Sequence, residues 1–368
     1  MNATVPARLH AIIAREADRA VIFRRGPSDR VAVIGWNLAD DTFSLGQWFH
    51  GRIYGYRCDL SPDGRYLVYF AAKYGRINPV DERIKALIRE KIGERPPFTL
   101  TDVAEAMKCF QKLKEFHDSP LSPKGQYDPA QFLMPESEYD RKYAEACAEV
   151  LREHAEEFEQ MRRSPDYHDA SWTAISEAPY LKALDLWFNG SGWNGGGIFT
   201  DNSHVWINQP LPLRGTHIQT RCSGLFTELA SPPSGWGVGG ECPGIYLPKL
   251  ERDGWTCVSE SDTDISYEKE LPGSLRLQKI FHVDQPDDTP GYGVYWEEHK
   301  VFADQTLLLD GADWCWADFD AKRRRILFAK AGAIYSCKLD SLAAPAVLLY
   351  DFNVMKFEPT AAPEEVAL

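Results

Sequence analysis

No apolar run among the 368 residues approaches the ~18 consecutive residues of a membrane-spanning helix, so a chain built on such spans is excluded. Cysteine is sparse in pattern. Cys58, Cys109, Cys147, Cys222, Cys242, Cys257, Cys315 and Cys337 stand singly, without a C-x-x-C pair to give zinc its tetrahedral bite. They read as reduced thiols, mostly buried. Positive charge is in deficit: 41 Lys and Arg face 54 Asp and Glu, a formal net charge of −13. Such a molecule repels phosphate backbones, and a nucleic-acid role would need a local basic patch. Arg24 with Arg25, and Arg323 with Arg324 and Arg325, are the short candidates, and both read as solvated side chains at strand ends or turns. Arg8, His10, Arg15 and Glu16 interrupt the N-terminal apolar stretch and spoil a secretory signal, so the expectation is a cytoplasmic protein.

A local absence marks the domain boundary. Between Arg76 and Ser164 there is no tryptophan, although the chain has eleven, and only two of its 27 glycines. The same 89 residues carry 33 charges, a density that solvated helical faces produce. Asn78 and Pro79 form a helix start, Val80, Ile84, Leu87 and Ile88 follow at helical spacing, and Gly93 supplies a stop. A second pattern begins near Thr101 and Asp102, with Val103, Met107, Phe110 and Leu113 on one stripe. A third helix runs from Ser137 to Arg163, its inward residues being Tyr143, Cys147, Val150, His154, Phe158 and Met161. The expected organisation is a β body over 1–75 and 165–355, a three-helix insertion over 76–164, and a flexible tail over 356–368.

Outside the insertion the chain reads as β. Tyr56–Lys73, "YRCDLSPDGRYLVYFAAK", is a strand, a Ser-Pro-Asp-Gly turn and a second strand. Ala317–Gly332 is a weaker second copy, with Asp318 in the place of Asp59 and Ile326, Leu327 and Phe328 in the places of Leu67, Val68 and Tyr69. Hairpins are also predicted at Gly197–Asn208 and Lys249–Glu260, with Asp201-Asn202 and Asp253-Gly254 as turn pairs. "SGWNGGG" at Ser191 and "SGWGVGG" at Ser234 repeat at an interval of 43 residues. That is the length of one four-stranded β-propeller blade. The spacing predicts a mainly β fold, a propeller of about five to seven blades with an α-helical insertion.

"DLSPDGRYLVYF", Asp59–Phe70, resembles the repeat of TolB-like and WD-repeat propellers, in which such a turn joins two inner strands of a blade. "FRRGPSDRV", "GQWFHGRIY" and "PYLKALDLWFNGSGWNGGGIF" add a resemblance to a family of bacterial proteins that brings no known activity. In those relatives the "FAAK" strand runs almost directly into "SWTAIS", which marks the helical block as an insertion. TolB-like proteins are usually exported, whereas this chain shows no signal.

Coherent catalytic sets are not found. Gly235, Gly237 and Gly240 satisfy G-x-G-x-x-G as a string, but Pro243 and Gly244 follow where a dinucleotide site needs a helix. Asp262 with Asp264, and Asp284 with Asp287 and Asp288, lack the closing Glu of a calcium loop and read as solvated acids. His117, Asp118 and Ser119 are adjacent in sequence, which opposes a triad and reads as a helix end. His154 reads as a packed histidine on an apolar stripe. Trp193, Trp236, Trp314 and Trp316 form a candidate recognition platform on a propeller face, joined by Tyr143 and Phe158 of the helical arm. The leading expectation is a non-enzymatic cytoplasmic scaffold that docks another protein, with no catalytic residue, cofactor or metal. The rivals are a hydrolase with channel carboxylates such as Asp262, Asp264 or Asp284, and a regulatory or target subunit of a bacterial defence or stress system, which rests on analogy of fold alone.

Overall fold

The computed structural model describes residues 5–26, 30–74, 79–93, 138–162, 169–190, 194–208, 217–219, 225–229, 242–261, 263–283 and 294–363. The chain divides into two compact units, 1–74 with 169–368, and 75–168.

The larger unit is mainly β. Its first sheet is an antiparallel meander of β1 (Arg8–Ile13), β2 (Arg19–Arg25), β3 (Arg30–Asn37) and β4 (Thr42–His50). The second joins β5 (Arg52–Ile53), β6 (Asp59–Leu60), β7 (Tyr66–Tyr74), β8 (Asp169–Glu177) and β9 (Ala183–Gly190) to β12 (His217–Gln219). β10 (Gly197–Phe199), β11 (His204–Ile207) and β13 (Thr227–Leu229) make the third, with β13 parallel to β11. The fourth holds β14 (Thr256–Glu260), β15 (Asp264–Leu271), β16 (Leu275–His282), β17 (Trp296–Ala303) and β18 (Thr306–Gly311). The last is β19 (Trp314–Asp320), β20 (Arg325–Lys330), β21 (Ala333–Lys338) and β22 (Val347–Asp351).

Alternation along the strands shows how the sheets pack. In β2 and β3, Ala20, Ile22, Ala32 and Ile34 share a cluster with Trp316, Leu327 and Ile334 of the fifth sheet. Their sequence neighbours Val21, Phe23, Val31 and Val33 share another with Leu67, Tyr69 and Ala71 of the second. Successive side chains of a strand point to opposite faces, so the first sheet is covered on both. That is why "RAVIF" and "RVAVI" read as continuous apolar runs instead of alternating ones. β7 behaves alike, with Tyr66 and Val68 joining Phe199 and Val205 of the third sheet. β19 and β20 divide similarly, Trp314, Ile326 and Phe328 facing Leu277 and Phe281 of the fourth sheet. By contrast the edge strand β14 is exposed throughout.

The Ser-Pro-Asp-Gly turn forms as predicted. Ser61 Oγ donates to Asp63 and accepts from the Tyr66 N–H, and Gly64 takes φ +71° at the bend. The second copy is in register with the first. Asp59 lies opposite Val68 and Asp318 opposite Leu327, the pairing that the sequence alignment of the copies requires.

Lys249–Glu260 departs from expectation. Its first arm is not a strand but the end of a helix, Pro243–Arg252, and only Thr256–Glu260 is extended. Pro243 suits the first helical turn, where its missing N–H costs nothing, and Gly254 with φ +84° ends the segment, its N–H donating to the Glu251 carbonyl. Asp253-Gly254 is thus a helix terminator instead of a hairpin turn. Ile245, Tyr246, Leu247 and Leu250 are buried, so this helix packs as core.

In the smaller unit, α1 (Pro79–Ile92) faces α2 (Glu138–Glu153) and α3 (Ala155–Arg162) through Val80, Leu87 and Ile88 against Ala146, Val150 and Phe158. The predicted single third helix is broken at His154, whose Nδ1 lies 2.8 Å from Glu157. Gly93, with φ +80°, ends α1 as expected. The predicted helix near Thr101 and the caps at Asn78 and Ser137 lie outside the described residues. The helix Pro243–Arg252 is called α4 below. Among the described residues no helix is long and apolar enough to cross a membrane.

Candidate functional site

A cavity of about 900 Å³ opens within the β-rich unit. Its walls come from separate parts of the chain: Arg8 and His10 on β1, Arg25 on β2, the Arg52–Arg57 segment, Cys242 before α4, Tyr295–Glu297 entering β17, and Cys315 on β19. Tyr54, Tyr56, Tyr295 and Trp296 give it an aromatic lining, and its size is that of a small-molecule site.

Gly196 governs one close approach behind this wall. It takes φ +91°, and a Cβ there would sit 2.2 Å from the Arg57 carbonyl oxygen. Gly196 of "SGWNGGG" thus lets the chain pass against the segment that lines the cavity. Arg57 itself is 2% exposed, lies over the Phe70 ring and donates from Nε to Cys242 Sγ at 3.4 Å.

Glu297 is the charged centre of the wall. Its carboxylate accepts from the Tyr246 hydroxyl and, at 3.0 Å, from Lys279 Nζ, which also donates to Tyr246 Oη at 2.9 Å. His299 Nε2 lies 3.3 Å from the same carboxylate, and His299 Nδ1 is 3.1 Å from the Trp314 carbonyl oxygen. All three ionisable side chains are at most 2% exposed. Burial works to raise the Glu297 pKa, but the Lys279 ammonium outweighs it and holds the group well below the usual carboxylate range. Burial and the Lys279 charge lower the pKa of His299, so the ring is neutral. Because Nδ1 faces a carbonyl it must carry the proton, leaving a lone pair on Nε2 toward the carboxylate. Burial, followed by the Glu297 charge, raises Tyr246 and Tyr56 well above the usual phenol range.

His10 lines both this cavity and a smaller one of about 30 Å³ beside Tyr246, Lys249 and Lys279. Burial and the Lys249 charge push its pKa down to about 3. Its Nε2 is buried without a hydrogen-bond partner among the described residues.

Asp59 has a structural task. It is fully buried, accepts from the Phe199 N–H at 2.8 Å, and takes a two-pronged contact from Arg252 of α4. Its counterpart Asp318 accepts from Lys269 at 2.6 Å, so both copies of the repeat use the aspartate to bind a cation from another element.

Several sequence-level candidates are found elsewhere. Trp314 and Trp316 are buried at 6% and 3% exposure, Trp314 stacked on Phe328 and Trp316 packed among Ala32 and Ile34, so neither belongs to an exposed platform. They alternate between two inter-sheet cores, which is why both are large and apolar. Phe158 is core of the helical unit, whereas Tyr143 is 37% exposed. Trp193, Trp236, Asp262, Asp284, Asp287, Asp288 and the G-x-G-x-x-G string lie outside the described residues, as do His117, Asp118 and Ser119. A helix does follow that string, contrary to expectation, but it begins at Pro243, too late for the glycines to form its first turn. Asp264 contacts His282 at the start of β15. The basic runs are not simply solvated: Arg24 is 5% exposed and donates to the Phe352 carbonyl, while Arg325 is 6% exposed and pairs with Asp41 and Asp320. No group of three or more metal-ligating side chains occurs among the described residues.

No family model matches the chain. No curated protein matches it. Among solved structures, the crystal structure of the tricorn protease matches at 9% identity over 94% of this chain and 26% of that one, with a TM-score of 0.22. The chain spans about a quarter of that protein's length, and so loose a likeness bears on neither fold nor activity.

Proposed function

We propose that the β-rich unit is a propeller of at least five blades whose central cavity binds a small molecule, and that the protein is a binder and not a catalyst. The order of the apolar clusters supports the ring. The fifth sheet packs on the first, the first on the second, and the second on the third. α4 then joins the third to the fourth through Ile245 and Tyr246, and the fourth packs on the fifth. That succession returns to its start.

The observation that carries the function is the cavity itself, whose walls combine aromatic rings with charged side chains. Two features speak for binding over hydrolysis. Both Glu297 oxygens are engaged by buried partners, and Asp313, the other lining carboxylate among the described residues, pairs with Lys330. Paired-carboxylate hydrolysis needs one acid free to carry a proton. Docking of a partner protein through a tryptophan face loses its support in Trp314 and Trp316, which are packed inside.

Ligand-observed NMR with a library of neutral and charged aromatic fragments tests the reading. Val294 lies at the cavity and is 48% exposed, so Val294→Trp fills the space without disturbing core. Fragments that bind the full chain and are lost in Val294→Trp support the proposal. Fragments that bind both proteins equally, or none at all, refute it.

A further inference from the structure

We propose that the cavity selects an anionic ligand, a small molecule bearing a phosphate or carboxylate group, held chiefly by Arg25 and Arg52 with Arg8 beside them. The inference rests on the cavity reading above and adds the chemistry of what enters.

The first observation is charge. Five cationic side chains line the cavity, Arg8, Arg25, Arg52, Arg57 and Lys330, against two carboxylates, in a chain whose formal net charge is −13. Both carboxylates are already committed, Glu297 to Lys279 and Asp313 to Lys330. The second is register. Arg8 and Arg25 stand directly opposite each other across β1 and β2, where like charges destabilise a sheet. Arg52, at the start of β5 in the second sheet, brings a third guanidinium to the same space. Burial, then the Arg8 and Arg52 charges, push the Arg25 pKa down to about 10.

An anion entering this cluster is attracted by each guanidinium and relieves their mutual repulsion. The planar fork of arginine matches the paired oxygens of phosphate and carboxylate alike. Tyr54, Tyr56 and Tyr295 beside the cluster suit an aromatic body on the ligand.

Calorimetric titration of the full chain with phenyl phosphate, benzoate and phenol, at fixed ionic strength, tests the inference. The expected result is binding of phenyl phosphate or benzoate at least about tenfold tighter than phenol, as for a charge-assisted hydrogen bond. The two anions distinguish a phosphate from a carboxylate ligand, and either outcome supports the proposal. Arg25→Gln with Arg52→Gln should abolish the preference while keeping or raising the melting temperature. Should the pair fold poorly, Arg52→Gln alone, at an exposed side chain, should still reduce it several-fold. Equal binding of phenol and both anions, or a preference unchanged in the variants, overturns the anion inference and leaves the cavity reading standing. Binding of none of the three overturns both.

Discussion

Replacing Lys279 by Met isolates the buried charge network in one step. The ammonium lies 3.0 Å from Glu297 and 2.9 Å from Tyr246 Oη, and the Lys279 and Glu297 side chains are 2% and 0% exposed. Methionine fills the aliphatic volume but leaves the carboxylate in a dry interior with only a phenol and a neutral imidazole. Removing one partner of such a pair costs about 3–5 kcal/mol. At roughly 2–4 °C per kcal/mol, that is a drop of about 6–20 °C in melting temperature. His299 gives the loss a pH signature. Its Nε2 already faces Glu297 at 3.3 Å, and Lys279 is one of the two largest causes of its lowered pKa. With Lys279 gone the imidazole should take up a proton and become the counter-ion. The cost of the substitution should therefore be full at pH 8 and smaller near pH 5.5. Urea denaturation at both values reads the difference. A loss below about 1 kcal/mol at pH 8, or one identical at the two pH values, would refute this account of the network.

Two further outcomes follow from the same geometry. His10, with its pKa pushed down to about 3, and His299, also lowered, stay neutral in the folded chain while unfolded histidine titrates near 6.5. Below that value the unfolded state binds more protons, so their contribution is present above about pH 6.5 and is lost as pH falls, at up to roughly 1.4 kcal/mol per pH unit for each. Denaturant midpoints at steps from pH 7.5 to 4.5 check this, and a flat profile contradicts it. Gly196→Ala forces a Cβ to 2.2 Å from the Arg57 carbonyl at φ +91°, and strain of this kind costs on the order of 1–3 kcal/mol. The variant should melt lower and bind fragments more weakly, because the displaced segment lines the cavity; unchanged melting would show that the approach is looser than described.

The fold was legible where local chemistry and packing agree. Asp59 and Asp318 were matched from the sequence alone, and both sit at equivalent register positions beside a cation. Lys249–Glu260 was misread because Asp253-Gly254 is equally good at turning a hairpin and at ending a helix. The deciding signal stood upstream, in Pro243 at a helix start and in Tyr246 and Leu250 at helical spacing. Trp314 and Trp316 misled for a different reason. A side chain that fills a gap between sheets and one that greets a partner are the same residue type, and only the neighbouring sheet separates the two.

The cavity's charged centre was hidden in the strands that looked least informative, though alternation carried a trace of it. In β16, Leu277, Lys279 and Phe281 share one face, and in β17, Glu297, His299 and Val301 share one. Leu277, Phe281 and Val301 are fully buried, so each strand places an ion on an apolar face. Charges in such positions need partners, and the register supplies them: Lys279 stands opposite His299, with Glu297 opposite Phe281 one step along the same face. Each strand alone looks like a solvated amphipathic segment. Only their pairing, together with Tyr246 arriving from α4, makes the network closed and dry. The same logic applied to β1 and β2 gives a different answer, because Arg8 opposes Arg25. One strand pair of the cavity wall thus sets opposite charges together while another sets like charges against each other, and that contrast is the physical reason to expect an anion between them.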